Sequence, residues 1–252
     1  MVKANPLAAG GATVGKGADE RATASAVRSM FATVAPRYDL LNHLLSAGVD
    51  IGWRRATVRS LKPVLSRPSS VVADLCCGTG DLALALRRAS EGAVLGTDFC
   101  HPMLQRARKK SVRLGRSTNF LEADTLRLPF RDASLDAVTI AFGFRNLVNY
   151  RRGIQEMRRV LRSGGMVAIL EFSHVTWPIF GPLFRAYFRR VLPRLGALIS
   201  GVQGPYQYLP DSVSRFPDQE ALSDLLREEG FSGVRYRNFT GGVAALHLGE
   251  KG

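Results

Sequence analysis

Apolar and polar positions along this chain fall into two alternating rhythms from residue 71 onward. Short apolar runs at VVADL (71–75), AVLGTD (93–98), NFLEAD (119–124), LDAVTIAF (135–142) and GMVAILEF (165–172) read as strands. Between them, DLALALRRA (81–89), HPMLQRARKK (101–110) and YRRGIQEMRRVL (150–161) space their apolar residues three to four apart, as helices do. This order predicts an α/β fold with a mostly parallel sheet covered by helices on both faces. The rhythm breaks near the end. A helix over 217–230 is followed by two strands, GVRYRNFT and GGVAALHLG, joined only at Thr240-Gly241-Gly242. They read as an antiparallel pair at one side of the sheet.

Residues 1–28 are rich in Ala, Gly and Thr and show no apolar period, so they are expected to be a disordered leader. They contain no apolar core of the kind a secretory signal needs. Residues 29–66 are expected to form a helical cap, and 174–210 a lid inserted before the last helix. In that insertion Phe180, Leu183, Phe184, Tyr187, Phe188 and Val191 recur at helical steps. Arg185, Arg189, Arg190 and Arg194 supply an opposite, cationic face.

Composition adds one feature that needs explaining. The 252 residues are 46% hydrophobic, enough for a large core, but Lys and Arg number 35 against 21 Asp and Glu, a net charge of +14. Such a balance points first to nucleic acid or an anionic membrane. The excess is localised: residues 101–116 carry +6 and 151–200 carry +7, whereas 71–100 carry −2. No apolar run reaches 18 residues, and Cys76, Cys77 and Cys100 form no metal or disulfide pattern. A reduced, cytoplasmic setting is expected, with no metal.

The most informative local motif is the segment from Asp74 to Ala83. Gly78 and Gly80 allow a tight turn between strand and helix, and Asp98 closes the next strand, where a carboxylate can accept from ribose hydroxyls. The spacing also fits a dinucleotide site. S-adenosylmethionine is favoured because Asp74 and Asp81 flank the turn, a poor setting for pyrophosphate but a good one for a cationic ligand. Asp124 at the end of the third strand can meet the adenine edge. The paired final strands also depart from a six-strand parallel sheet. The ensemble resembles class I methyltransferases, which implies a Rossmann-like, seven-stranded sheet with its last strand antiparallel. Ala141-Phe-Gly-Phe-Arg145-Asn146 stands where nucleic-acid amine methylases carry an Asn- or Asp-Pro-Pro clamp, and no Cys nucleophile follows Cys100. An RNA methyltransferase therefore becomes the remote alternative, and a non-catalytic cofactor-binding subunit a further one.

A narrower resemblance rests on many separated matches. They are Phe31-x-x-Val34-Ala35-x-x-Tyr38-Asp39-x-x-Asn42, Ser46, Trp53, Leu128-Pro129-Phe130, the Ala141–Asn146 segment, Arg159 through Ser173, Tyr206-x-Tyr208-Leu209, Phe216–Gln219 and Thr240–His247. Together they resemble the ubiquinone/menaquinone biosynthesis C-methyltransferase family. That resemblance implies methylation of a ring carbon of a polyprenylated quinol: demethylmenaquinol first, with the equivalent benzoquinol of ubiquinone synthesis as the alternative. It places cofactor contacts on Thr79, Asp98, Asp124, Thr125 and position 141, where Ala141 replaces the usual Ser. Asp50 replaces the family's His, Leu41 its Met, and Arg162-Ser163 its Lys-Pro.

Ring methylation needs an electron-rich quinol oxygen, so a base or a cation that favours the phenolate is expected. Arg145 and Asn146 are the first candidates, with His43 as a possible base and His174 at the end of the fifth strand as a weaker one. Asp74, Gly78, Thr79, Gly80, Asp98, Asp124, Thr125, Ala141 and Tyr38 are expected around the cofactor, Tyr38 from the cap. The expected partners are the prenylated quinol and an anionic membrane surface, peripherally at its inner face, without nucleic acid. The oligomeric state stays open, a homodimer being one arrangement.

Overall fold

The structure is a computed structural model and describes residues 19–35, 46, 48–115, 117–177, 181 and 204–252, with backbone alone at 204–207. Tyr38, His43 and most of the expected lid lie outside the described residues.

Seven strands form one sheet in the order β3-β2-β1-β4-β5-β7-β6. They are β1 Val71–Leu75, β2 Ala93–Asp98, β3 Asn119–Glu122, β4 Leu135–Ala141, β5 Leu161–Phe172, β6 Phe231–Phe239 and β7 Ala244–Lys251. β1 to β5 pair in parallel, while β7 lies antiparallel between β5 and β6. The expected terminal pair is therefore present, with the sixth strand and not the last at the edge. Numbered over the described elements, the helices are α1 Glu20–Val34, α2 Val49–Ser60, α3 Lys62–Leu65, α4 Asp81–Ala89, α5 His101–Arg113, α6 Tyr150–Val160, α7 Gly204–Arg215 and α8 Gln219–Glu228.

β1 and β4 are buried along nearly their whole length, as a parallel sheet covered on both faces requires. One core cluster joins their inner residues to α6 and α8 through Tyr150, Ile154, Leu222 and Leu226. The other joins the opposite face to α2 and α4 through Trp53, Leu82 and Leu86. At the carboxyl ends of the strands, Trp53 meets Phe142, Phe172 and Phe239 at ring-centroid distances of 6.0, 6.5 and 6.5 Å. This aromatic cluster ties α2 to β4, β5 and β6.

The first helix is a correction. α1 begins at Glu20, capped by the Asp19 side chain, inside the stretch expected to be unstructured. Its apolar face is sparse, because Thr23, Val27 and Val34 carry the buried positions among Ala, Ser and Arg. Val34 and Ala35 pack with Cys100 and Met103, and Phe31 joins them, which seats α1 on α5.

Candidate active site

β1 sits where the sheet order turns from β2 to β4, and ligands of open α/β sheets bind at the carboxyl edge of such a switch point. There the structure has a cleft. Its floor comes from Cys76 and Gly78 after β1, and from Asp98 and Phe99 at the end of β2. Asp124, Thr125 and Leu126 follow from the β3 side, and Phe142, Gly143, Asn146 and Leu147 from the segment after β4. Ala24 and Phe31 of α1 complete it, so part of the expected leader is wall of the site.

The turn after β1 is built from left-handed backbone: φ is 47° at Cys76, 55° at Gly78 and 85° at Gly80. Gly80 starts α4, and a Cβ there would lie 3.1 Å from Ala107 Cβ and 3.2 Å from the Phe120 ring. Asp98 holds this turn from below. Its Oδ2 accepts from Gly78 N–H and its Oδ1 from Cys100 N–H, both at 2.8 Å. Burial is the largest influence on Asp98 and pushes its pKa up to about 6, against the backbone N–H donors that favour the carboxylate.

Across the cleft the backbone is also strained. Phe142 has φ 58°, an expensive conformation for a non-glycine residue. A Cβ on Gly143 would come within 2.4 Å of Cys76 Cβ, so only glycine lets the segments after β1 and β4 meet. Cys76 and Phe142 are site residues that sequence reasoning missed. The signal was their position one residue past a strand. The Cys76 sulfur lies 3.3 Å from Thr125 Oγ1, and burial pushes its pKa upward, so it stays a thiol.

Of the residues expected at the site, Gly78, Asp98, Asp124, Thr125 and Asn146 line the cleft. Asp74 does not: it is buried under the turn, accepts from Thr139 Oγ1 at 2.6 Å, and burial raises its pKa to about 7. Thr79 and Gly80 shape the turn without lining the cleft, and Asp81 is paired with Lys110 at 2.6 Å. Ala141 ends β4 just outside the lining set. Arg145 is displaced most from its expected role. It is 5% exposed, and its Nη1 donates to Glu171 Oε1 at 2.8 Å and to the Phe142 carbonyl. Its own N–H donates to Glu171 Oε2 at 3.1 Å. The guanidinium is thus committed behind the cleft wall, where it fixes the turn that carries Asn146. His174 does not line the cleft either; its Nε2 lies 2.9 Å from the Phe216 carbonyl oxygen. Asp50, the departure in the cap, is buried, accepts from Ser46 Oγ at 2.7 Å and pairs with Arg54.

Asp98 offers oxygen acceptors beside a glycine turn, and exposed Asp124, past the end of the neighbouring β3, offers another. Backbone N–H groups already reach both oxygens of Asp98, and because Asp98 also lines the cleft, its carboxylate can accept from a ligand hydroxyl there. The apolar walls suit a flat ring between these ends. This fits an adenosyl cofactor such as S-adenosylmethionine. Among the described residues no group of three or more His, Cys, Asp or Glu side chains could hold a metal ion.

Solved structures share this fold. A SAM-dependent methyltransferase from Thermotoga maritima superposes with a TM-score of 0.62 at 17% identity, over 89% of this chain and 99% of that one. The [4+2]-cyclase SpnF reaches the same TM-score at 16% identity, over 89% of this chain and 94% of that one. One fold thus carries different chemistries, and these likenesses speak for architecture alone. Sequence relatives are more specific. The demethylmenaquinone methyltransferase of Thermus thermophilus is 51% identical over 223 residues, 88% of this chain and all of that protein. Its Deinococcus radiodurans namesake is 48% identical over 92% of this chain and 95% of its own length. The ubiquinone/menaquinone biosynthesis C-methyltransferase UbiE of Citrifermentans bemidjiense is 43% identical over 89% of this chain and 96% of that one. Residues 18–251 match the ubiE/COQ5 methyltransferase family, a span that takes in α1, the glycine turn, Asp98 and the Phe142–Asn146 turn, and the chain belongs to that family.

Proposed function

We propose that this enzyme transfers a methyl group from S-adenosylmethionine to a ring carbon of demethylmenaquinol, giving menaquinol. The observation that carries the reading is that Asp98, Asp124 and Asn146 line one cleft, so cofactor-binding groups and a polar group for the acceptor share a single space. The names of the Thermus and Deinococcus relatives favour the naphthoquinol. The name of the Citrifermentans relative keeps the benzoquinol of ubiquinone synthesis as a second reading.

When bound, the cofactor supplies a methyl activated by its sulfonium. The chain's work is placement. Asp98 and Asp124 fix the adenosyl end, while Phe142, Leu147 and Phe31 exclude water and hold the acceptor ring near attack geometry. The acceptor must be the reduced quinol, whose ionised hydroxyl enriches the neighbouring carbon; a quinone ring is electrophilic. Asn146 is the polar group of the cleft wall placed to meet that oxygen, and Arg145 acts on it through the backbone. Incubating the protein with labelled S-adenosylmethionine and each reduced demethylquinol tests the proposal. Label is expected in the naphthoquinol, and transfer to neither quinol would refute it.

Cofactor affinity is expected to rise with pH between about 5 and 7. Burial places the Asp98 pKa at about 6, and a cationic ligand with hydroxyl donors favours its ionised form. Below pH 6 affinity is expected to fall about tenfold per pH unit from Asp98 alone. Calorimetric titrations from pH 5 to 8 check this, and a flat profile would count against Asp98 as ligand. The same shifts act oppositely on stability without ligand. Carboxyls with raised pKa values stabilise the fold fully below the ordinary value of 3.8, and that contribution is lost as pH rises from there to about 6 for Asp98 and about 7 for Asp74.

The segment 174–210 is assigned to the membrane surface on its sequence, with Arg185, Arg189, Arg190 and Arg194 opposite an apolar face. Such a peripheral lid would give a prenyl tail a route from bilayer to cleft. Among the described residues no helix is long and apolar enough to cross a membrane. Co-sedimentation with anionic liposomes is expected to fall when these four arginines become Gln; unchanged binding would exclude this role.

A further inference from the structure

Asn146 can meet a quinol oxygen in two ways, and the choice matters chemically. Its amide N–H stabilises a phenolate, whereas its carbonyl oxygen repels one. The carbonyl oxygen is turned to another partner. Tyr208, on α7, donates its hydroxyl to Asn146 Oδ1 at 3.0 Å. On the other side, Asn146 Nδ2 lies 3.5 Å from the Phe142 carbonyl, a long contact that only the amide nitrogen can make favourably. These two neighbours, a hydroxyl that can donate and a carbonyl that only accepts, orient the amide in the same sense. An amide nitrogen carries two N–H bonds, so one is left to offer to the cleft that Asn146 lines.

We propose that Tyr208 is a positioning residue: it fixes the Asn146 amide with an N–H, and not the carbonyl, turned to the acceptor oxygen. The inference rests on the quinol reading above. Tyr208 does not itself line the cleft, and so acts through Asn146. The charged groups around its hydroxyl are Arg145, Arg215 and Glu171, and burial outweighs the two cations to push its pKa upward. It therefore remains a donor at neutral pH and does not serve as the base. The contact also links α7, which begins inside the 174–210 segment, to the turn after β4. The position of α7 thus bears on whether the acceptor end of the cleft is correctly set.

The test is a double-mutant cycle on the intact protein with reduced demethylmenaquinol. Tyr208→Phe keeps the ring and removes one hydrogen bond, so kcat is expected to fall about three- to tenfold. The cofactor dissociation constant and the melting midpoint are expected to hold. In an Asn146→Ala background the same change is expected to cost nothing further, because nothing is left to orient. An unchanged kcat, or the same loss in both backgrounds, would overturn the proposal. Should Tyr208→Phe not fold, Asn146→Asp decides: it keeps an acceptor for Tyr208 but removes the N–H, and retained kcat would overturn the inference. Wild-type protein inactive on both quinols would remove the quinol reading and this inference with it. Active wild type with an unaffected Tyr208→Phe removes this inference alone.

Discussion

Replacing Asp98 with Ala is expected to weaken S-adenosylmethionine binding by at least about 100-fold while the protein still folds. Asp98 does two jobs at once. Its oxygens hold Gly78 N–H and Cys100 N–H at 2.8 Å, and the residue lines the cleft. A hydrogen bond to a charged group is worth about 1.5–3 kcal/mol, so losing the ligand contacts alone accounts for one to two orders of magnitude. Loosening of the Gly78 turn adds to this, since its left-handed backbone loses the side chain that accepts from its N–H. Asp98→Asn separates the two jobs. It preserves size, but its amide must present N–H to one of two backbone N–H groups, so one contact becomes donor against donor. Affinity for the asparagine variant is expected to lie nearer the alanine variant than the wild type. Equilibrium dialysis with labelled cofactor measures both, and near-native affinity in Asp98→Ala would remove this residue from the site.

The strength of that prediction reflects how local the motif is. The turn from Asp74 to Asp81 and the end of β2 are short-range features, and the strand–helix rhythm that places them comes from buried apolar runs of four to seven residues. Three other features were not legible, each for a physical reason. α1 was missed because its buried face is carried by Thr23, Val27 and Val34 among small residues, too dilute to stand out as a helical period. β5 starts at Leu161, ahead of the 165–172 run that reads as a strand and at the residue where the preceding run reads as the end of a helix, because Leu161 pairs with Leu135 ahead of a register shift. The role of Arg145 depends on Glu171, 26 residues away, and that of Asn146 on Tyr208, 62 residues away. Neighbouring strands and a returning helix create those pairs, and no local pattern announces them.

The Arg145–Glu171 pair yields the largest expected effect on stability. With side-chain exposures of 7% and 1%, neither charge has water to fall back on. Glu171→Ala leaves the Arg145 guanidinium buried beside the Phe172 ring, 5.4 Å from its centroid, with its counter-charge removed. Breaking one side of such a pair costs about 3–5 kcal/mol, a large share of the stability of a domain this size. Urea denaturation is expected to show that loss. Removing both charges, as in Arg145→Met with Glu171→Leu, is expected to recover most of it, because an apolar pair carries no desolvation penalty. Activity should not return with stability. Arg145 Nη1 holds the Phe142 carbonyl and Glu171 receives the Arg145 backbone N–H, and these bonds set the strained turn that presents Asn146. A stable but inactive double variant would mark the pair as a device for shape at the site. A double variant as unstable as Glu171→Ala would show that unpaired charge is not the cause of the loss, and a fully active one would show that the turn holds its shape without the pair.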